Sequence, residues 1–170
     1  FYEVCIATSF SAEAKELLIA RSKRVLLQWN KQDFKHDIVR SCLNGVLIQE
    51  RDMSFSSRDQ LSAVTTIKPT EDQIRDMLFA EKLVKHTKSN AIILVKDQQL
   101  IASGTGQTSR VDALNQAILK AKTFKLNIKG AAMASDAFFP FPDCVEIASE
   151  AGVAAIVQPG GSIKDQLSID

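Results

Sequence analysis

Short apolar runs of strand length alternate along this chain with longer stretches whose apolar positions recur every three or four residues. Residues 2–7 and 25–29 read as strands, and between them Ser11 caps a helix with Glu13 in its first turn. Residues 31–41 are polar and weakly patterned, 45–50 predict a strand, and the Ser/Thr-rich stretch 51–70 predicts a connecting loop, the span 31–70 being a candidate excursion from the sheet. Thr70 and Gln73 then make a capping box for a helix reaching about Val84, with Ile74, Met77 and Leu78 on one face. Residues 91–95 and 100–102 flank Lys96-Asp97-Gln98-Gln99 as a hairpin. A further helix starts at Arg110, with Val111, Leu114, Ile118 and Ala121 at core spacing. A short strand at 131–134 runs into a Phe/Pro-rich loop. Pro142 suits the first position of the next helix, which Gly152 ends before a strand at 154–157. Strands alternating with helices predict an α/β fold of three layers, α/β/α.

Composition narrows the partners. With 170 residues and 45% hydrophobic content the chain has enough apolar material for one domain, or one domain with a small appendage. The 21 basic and 20 acidic residues are spread evenly, with no basic stripe, which argues against nucleic acid as the main partner. A small anionic ligand needs only local positive charge. No apolar run has the length of a membrane span. Three scattered cysteines, Cys5, Cys42 and Cys144, form no metal-binding spacing and read as reduced thiols of a cytoplasmic protein. The opening FYEVCIA enters a strand directly without a methionine, which reads as a cut from a longer polypeptide.

Three stretches could carry chemistry. In SGTGQTSR, residues 103–110, Gly104 and Gly106 free the backbone where a hairpin turns into a helix, and Ser109 with Asp112 forms an S-x-x-D cap. Arg110 beside such a helix start suits a polar or anionic ligand. On the motif alone, a turn that needs glycine only for its geometry is the favoured reading, and G-x-G-x-x-G is absent. In HTKSNA, residues 86–91, Asn90 stands between helix and strand, where an amide can match a carboxamide or a base edge or simply form an Asx turn. In SDAFFPFPD, residues 135–143, prolines stiffen three aromatics between Asp136 and Asp143. Such a loop serves either as a preformed wall for a planar ring or as a plug for its own core.

Taken together, KSNAIILVKDQQLIASGTGQTSRVDALNQA and MASDAFFPFPDCVEIASEAGVAAIVQPGGS resemble the C-terminal part of the AICAR transformylase family, the folate-dependent half of a bifunctional enzyme whose other half is IMP cyclohydrolase. The resemblance covers nearly the whole chain, is strongest from about residue 82, and follows the compact bacterial form. It implies a cytidine-deaminase-like α/β/α domain with a mixed sheet, residues 1–170 being the second of two such repeats, truncated at both ends. The implied reaction moves a formyl group from 10-formyltetrahydrofolate to the 5-amino group of AICAR, in a homodimer with active sites at the subunit interface.

By the same resemblance, Asn90 falls at the AICAR carboxamide and Arg110 at the nucleotide. Val111, Phe138, Asp143, Ser162 and Ile163 fall on folate contacts. The family's catalytic Lys-His pair belongs to the preceding repeat, so no catalytic residue is expected within this chain; Lys85-His86 imitates the pair only in letters. Nothing here matches the family's Arg-His-Phe tail, and Pro142 stands where relatives often carry arginine. A zinc deaminase needs H-x-E and P-C-x-x-C, neither of which occurs, so no metal is expected. The alternative from another class is a non-catalytic ligand-binding or assembly module on the same scaffold.

Overall fold

A computed structural model describes residues 2–20, 23–30 and 36–169. The chain divides into two compact units, Phe1–Met53 and Ser54–Asp170, where the sequence pattern predicts one domain with at most a small appendage.

The first unit contains strand β1 (Val4–Ala7), helix α1 (Ala12–Ile19) and strand β2 (Val25–Gln28), with β1 and β2 paired in parallel. Ser11 caps α1 as expected, accepting a hydrogen bond from the Ala14 N–H at 3.1 Å. Strands β3 (Asp37–Cys42) and β4 (Gly45–Glu50) form an antiparallel hairpin. β3 is a strand that the polar, weakly patterned stretch 31–41 does not predict, since its adjacent Ile38 and Val39 give no alternation; it pairs with the apolar run of β4. Residues 31–35 lie outside the described residues. No described residue of this unit is buried.

The second unit holds a well-packed core. After a short 3-10 turn at Arg58–Gln60 come helix α2 (Glu71–Lys85), strands β5 (Ile92–Lys96) and β6 (Gln99–Gly104), and helix α3 (Arg110–Thr123). Strand β7 (Ala132–Ser135), helix α4 (Asp143–Glu150), strand β8 (Ala155–Val157) and the short helix α5 (Gln166–Ile169) follow. The sheet order is β6-β5-β7-β8, with β5 antiparallel to both neighbours and β7 parallel to β8. This is the mixed sheet that the family resemblance implies.

β5 shows why its sequence is apolar throughout. Ile92 and Leu94 enter one core with Leu114, Ile118 and Ala148 from α3 and α4, while Ile93 and Val95 enter another with Ala80 and Val84 from α2. A central strand covered on both faces has no polar side to show. Helices therefore flank the sheet on both faces, giving the expected three-layer α/β/α arrangement.

Two devices fix the hairpin and the strand-to-helix turn. Asp97 and Gln98 both have positive φ, 53° and 57°, as a tight two-residue hairpin turn requires, although neither is glycine. The buried Asp76 of α2 accepts hydrogen bonds from both their N–H groups, at 3.0 and 2.7 Å. At the end of β6, a Cβ on Gly104 would lie 1.7 Å from the Ala113 carbonyl oxygen, so only glycine lets α3 pack this closely.

Candidate functional site

Strand register places the chemistry. Ile92 at the start of β5 pairs with Gly104 at the end of β6 and with Ser135 at the end of β7, and Ala134 pairs with Val157 at the end of β8. The segments 88–91, 104–110, 135–143 and 158–163 therefore all emerge from one end of the sheet. That end holds the carboxyl termini of β6, β7 and β8, where α/β sheets commonly bind ligands.

Segments 88–91 and 104–107 are laced together. Asn90 N–H donates to Gln107 O (3.2 Å), Gln107 N–H donates to Asn90 O (3.3 Å), and Gly106 N–H donates to Lys88 O (2.8 Å). The Asn90 side-chain amide also donates to Gln107 O, at 3.0 Å. Gly106, with φ 66°, makes the turn possible. The cap at Ser109 forms by half: its Oγ accepts from Asp112 N–H at 3.0 Å, but the Asp112 carboxylate meets Thr108 Oγ1 at 3.1 Å.

The hub of the site is Asp136. Its Oδ1 accepts from Ala91 N–H at 3.1 Å and lies 3.4 Å from Arg110 Nη2, and its Oδ2 accepts from Ser89 Oγ. Arg110 Nε donates to Ser135 Oγ at 3.3 Å, and that hydroxyl donates onward to Ala137 O at 2.7 Å. The Arg110 and Asp136 side chains are only 19% and 11% exposed, so water screens the pair weakly. Sequence reasoning noted Asp136 only as a flanking acid and missed Ser135, Ser89 and Gln107. The available signal was a carboxylate placed directly after a strand of small residues, at the strand's carboxyl end.

The aromatic loop divides between its two readings. Phe139, 2% exposed, plugs the core beneath α3 and α4, whereas Phe138 and Phe141, 41% and 51% exposed, face outward. The picture of three rings forming one wall is thereby corrected to two. Pro142 caps α4 one position earlier than the sequence predicts, and Asp143 becomes the first helical residue. Asp143 Oδ1 accepts from Cys144 N–H at 2.8 Å. Burial pushes the Cys144 thiol up to about 11, the Asp143 charge adds to this, and Arg110 opposes it. Arg110 and Asp143 thus act on the same thiol from the starts of two different helices. Val111 packs against that core cluster as well.

In the last loop Gly160 and Gly161 have φ 70° and 94°. The N–H groups of Gly161 and Ser162 donate to Asp165 Oδ2, at 2.8 and 3.1 Å. This turn leaves the Ile163 side chain fully exposed, and Lys164 Nζ sits 4.4 Å from the Phe141 ring centre. Ser162 and Ile163 are thus tied to the aromatic loop through Lys164 and Phe141, less tightly than Asn90 is tied to Arg110. Lys85 and His86 turn toward the 54–56 segment: Lys85 Nζ donates to Ser54 O, and both side chains neighbour Phe55. Among the described residues no group of three or more His, Cys, Asp or Glu could hold a metal ion, and no helix is long and apolar enough to cross a membrane.

Comparison with known proteins identifies the family. The model of the AICARFT/IMPCHase bienzyme family matches residues 1–120. A "bifunctional purine biosynthesis protein PurH" of Bacteroides thetaiotaomicron is 52% identical over 168 residues, covering 99% of this chain and 33% of that protein. Proteins of the same description from Leuconostoc citreum and Aquifex aeolicus are 45% and 44% identical, over 99% and 100% of this chain. The chain spans about a third of the length of these relatives. Among solved structures, a diaminohydroxyphosphoribosylaminopyrimidine deaminase/reductase of Thermotoga maritima aligns with 58% of this chain and 34% of its own, at 21% identity and a TM-score of 0.32, too weak a fit to support an argument. The aromatic and QPGGS loops lie beyond the matched 1–120 but within the stretch shared with the PurH proteins. The chain belongs to the AICARFT/IMPCHase bienzyme family.

Proposed function

We propose that this chain is part of the transformylase half of the bienzyme, its second cytidine-deaminase-like repeat, and that it contributes to formyl transfer from 10-formyltetrahydrofolate to AICAR. One observation supports this most: the segments bearing Asn90, Arg110, Val111, Phe138, Asp143, Ser162 and Ile163 leave the same end of one sheet. In the reaction the AICAR amine bonds to the formyl carbon, the bond from that carbon to the folate nitrogen breaks, and the amine proton ends on that nitrogen.

The residues present fit a flat, hydrogen-bonding ring. The outward Phe138 offers it an aromatic face, and Asp143 beside that loop places a carboxylate at the start of α4, with Oδ1 on Cys144 N–H. The exposed Ile163 and the Ser162 turn extend the contact surface. Asn90 and Arg110 orient the nucleotide, and holding two reactants in register is a large part of the catalytic work in acyl transfer. No residue of this chain is assigned to move the amine proton; that role falls to a Lys-His pair of the preceding repeat, within a homodimer.

The test replaces the matching third of the Bacteroides relative with this chain and measures formyl transfer to AICAR. Activity within tenfold of the parent is expected, and a folded dimer without activity would favour the non-catalytic module.

A further inference from the structure

We infer that Asp136 is a positioning residue that makes Asn90 and Arg110 one recognition unit without net charge, addressed to a neutral hydrogen-bonding part of a ligand and not to its phosphate. The inference deepens the functional reading above and rests on it for the statement that these two residues face a nucleotide. Asp136 grips the chain on both sides of Asn90, through Ser89 Oγ and Ala91 N–H, and the carboxylate oxygen that holds Ala91 also meets Arg110 Nη2. One side chain thereby sets the direction of the amide and of the guanidinium together. The same contact balances the charge of Arg110, with Nε turned to Ser135 Oγ.

A phosphate drawn to Arg110 would also approach the Asp136 carboxylate, in a mostly buried place where like charges repel strongly. A carboxamide or ring edge meets no such repulsion. It can pair with the Asn90 amide, whose Oδ1 meets no donor among the described residues.

The experiment titrates inorganic phosphate into the isotope-labelled 170-residue chain and follows the Arg110 Nε–H resonance by NMR. In the wild type that resonance shows no saturable shift. Asp136→Asn keeps the size of the side chain and an acceptor for Ala91 N–H but removes the charge. It gains a saturable shift, half-complete at a phosphate concentration about tenfold or more below the highest at which the wild type shows none, and reversed by roughly 0.5 M sodium chloride because the released guanidinium is then screened. A tie that is merely structural would alter Ala91 amide exchange and create no phosphate response. A saturable wild-type response overturns the inference whether or not the variant folds, as does a variant response no stronger than the wild type's. Neither arm needs formyl transfer, so failure here is distinct from failure of the proposed function.

Discussion

Gly104→Ala separates a glycine needed for packing from one needed for a ligand. The added Cβ would lie 1.7 Å from the Ala113 carbonyl oxygen, 2.5 Å from its carbon and 2.9 Å from its Cα, all backbone atoms that cannot rotate aside. Restoring ordinary contact requires α3 to withdraw from β6 by more than an ångström, which opens the core around Ala113, Leu114 and Ala117, all fully buried. Overpacking against backbone belongs at the upper end of the usual 1–3 kcal/mol. Replacing a strand glycine returns about 0.5–1 kcal/mol through the unfolded chain. The expected net loss is about 2 kcal/mol, or roughly 10 °C in Tm for a unit of this size.

Gly106→Ala is the control: its φ of 66° costs roughly 1–2 kcal/mol for a side chain, with only the flexible Lys88 stem nearby. The assay is urea unfolding followed by far-UV circular dichroism, with amide exchange of Ile93 and Leu94 reporting the second unit alone. A Gly104→Ala chain within about 0.5 kcal/mol of wild type, the usual range for a neutral surface change, would refute the reasoning.

Asp76→Ala orphans the N–H groups of Asp97 and Gln98 and should destabilise the second unit by about 2–3 kcal/mol, with Asp76→Asn recovering part of it; urea midpoints decide. Cys144 should resist alkylation at pH 8 while the exposed Cys42 reacts, as mass spectrometry of the modified chain would show. Because folding raises the Cys144 value, its contribution to stability is complete below the ordinary thiol range and is lost as pH climbs through about 11, readable as a falling urea midpoint. In the Bacteroides chimera, Asp143→Ala should lower folate-dependent turnover well beyond its effect on stability, so unchanged kinetics would remove the proposed anchor. The 170-residue chain alone should show no formyl transfer; turnover would mean that a residue such as His86 moves the proton.

Local signals made most of the second unit legible. Thr70 with Gln73 and Ser109 mark two helix starts, and the uninterrupted AIILV run marks a strand covered on both sides. The hairpin at 97–98 was visible as a break between two apolar runs, but its support from Asp76 was not, because that contact joins residues 21 positions apart. β3 was lost for a related reason: a strand specified by its partner shows little in its own letters. The Asn44-Gly45 pair beside it was an available turn signal, although the two-residue turn falls one position earlier, on Leu43-Asn44, with Gly45 already paired to Cys42. At the site, motif residues were legible as letters and their roles were not. Pro-rich flanks said that the aromatic loop was stiff, yet only packing decides that Phe139 turns in while Phe138 and Phe141 turn out. Asp136 was hidden because its partners, at 89, 91 and 110, meet only when three loops reach one end of the sheet.

A crystal structure of the Bacteroides chimera with AICAR and an unreactive analogue of 10-formyltetrahydrofolate tests the central claim most directly. The account predicts the imidazole carboxamide against Asn90 and Arg110, and the folate ring between Phe138 and Asp143. Both ligands bound elsewhere, with the four loops at this end of the sheet left untouched, would contradict it.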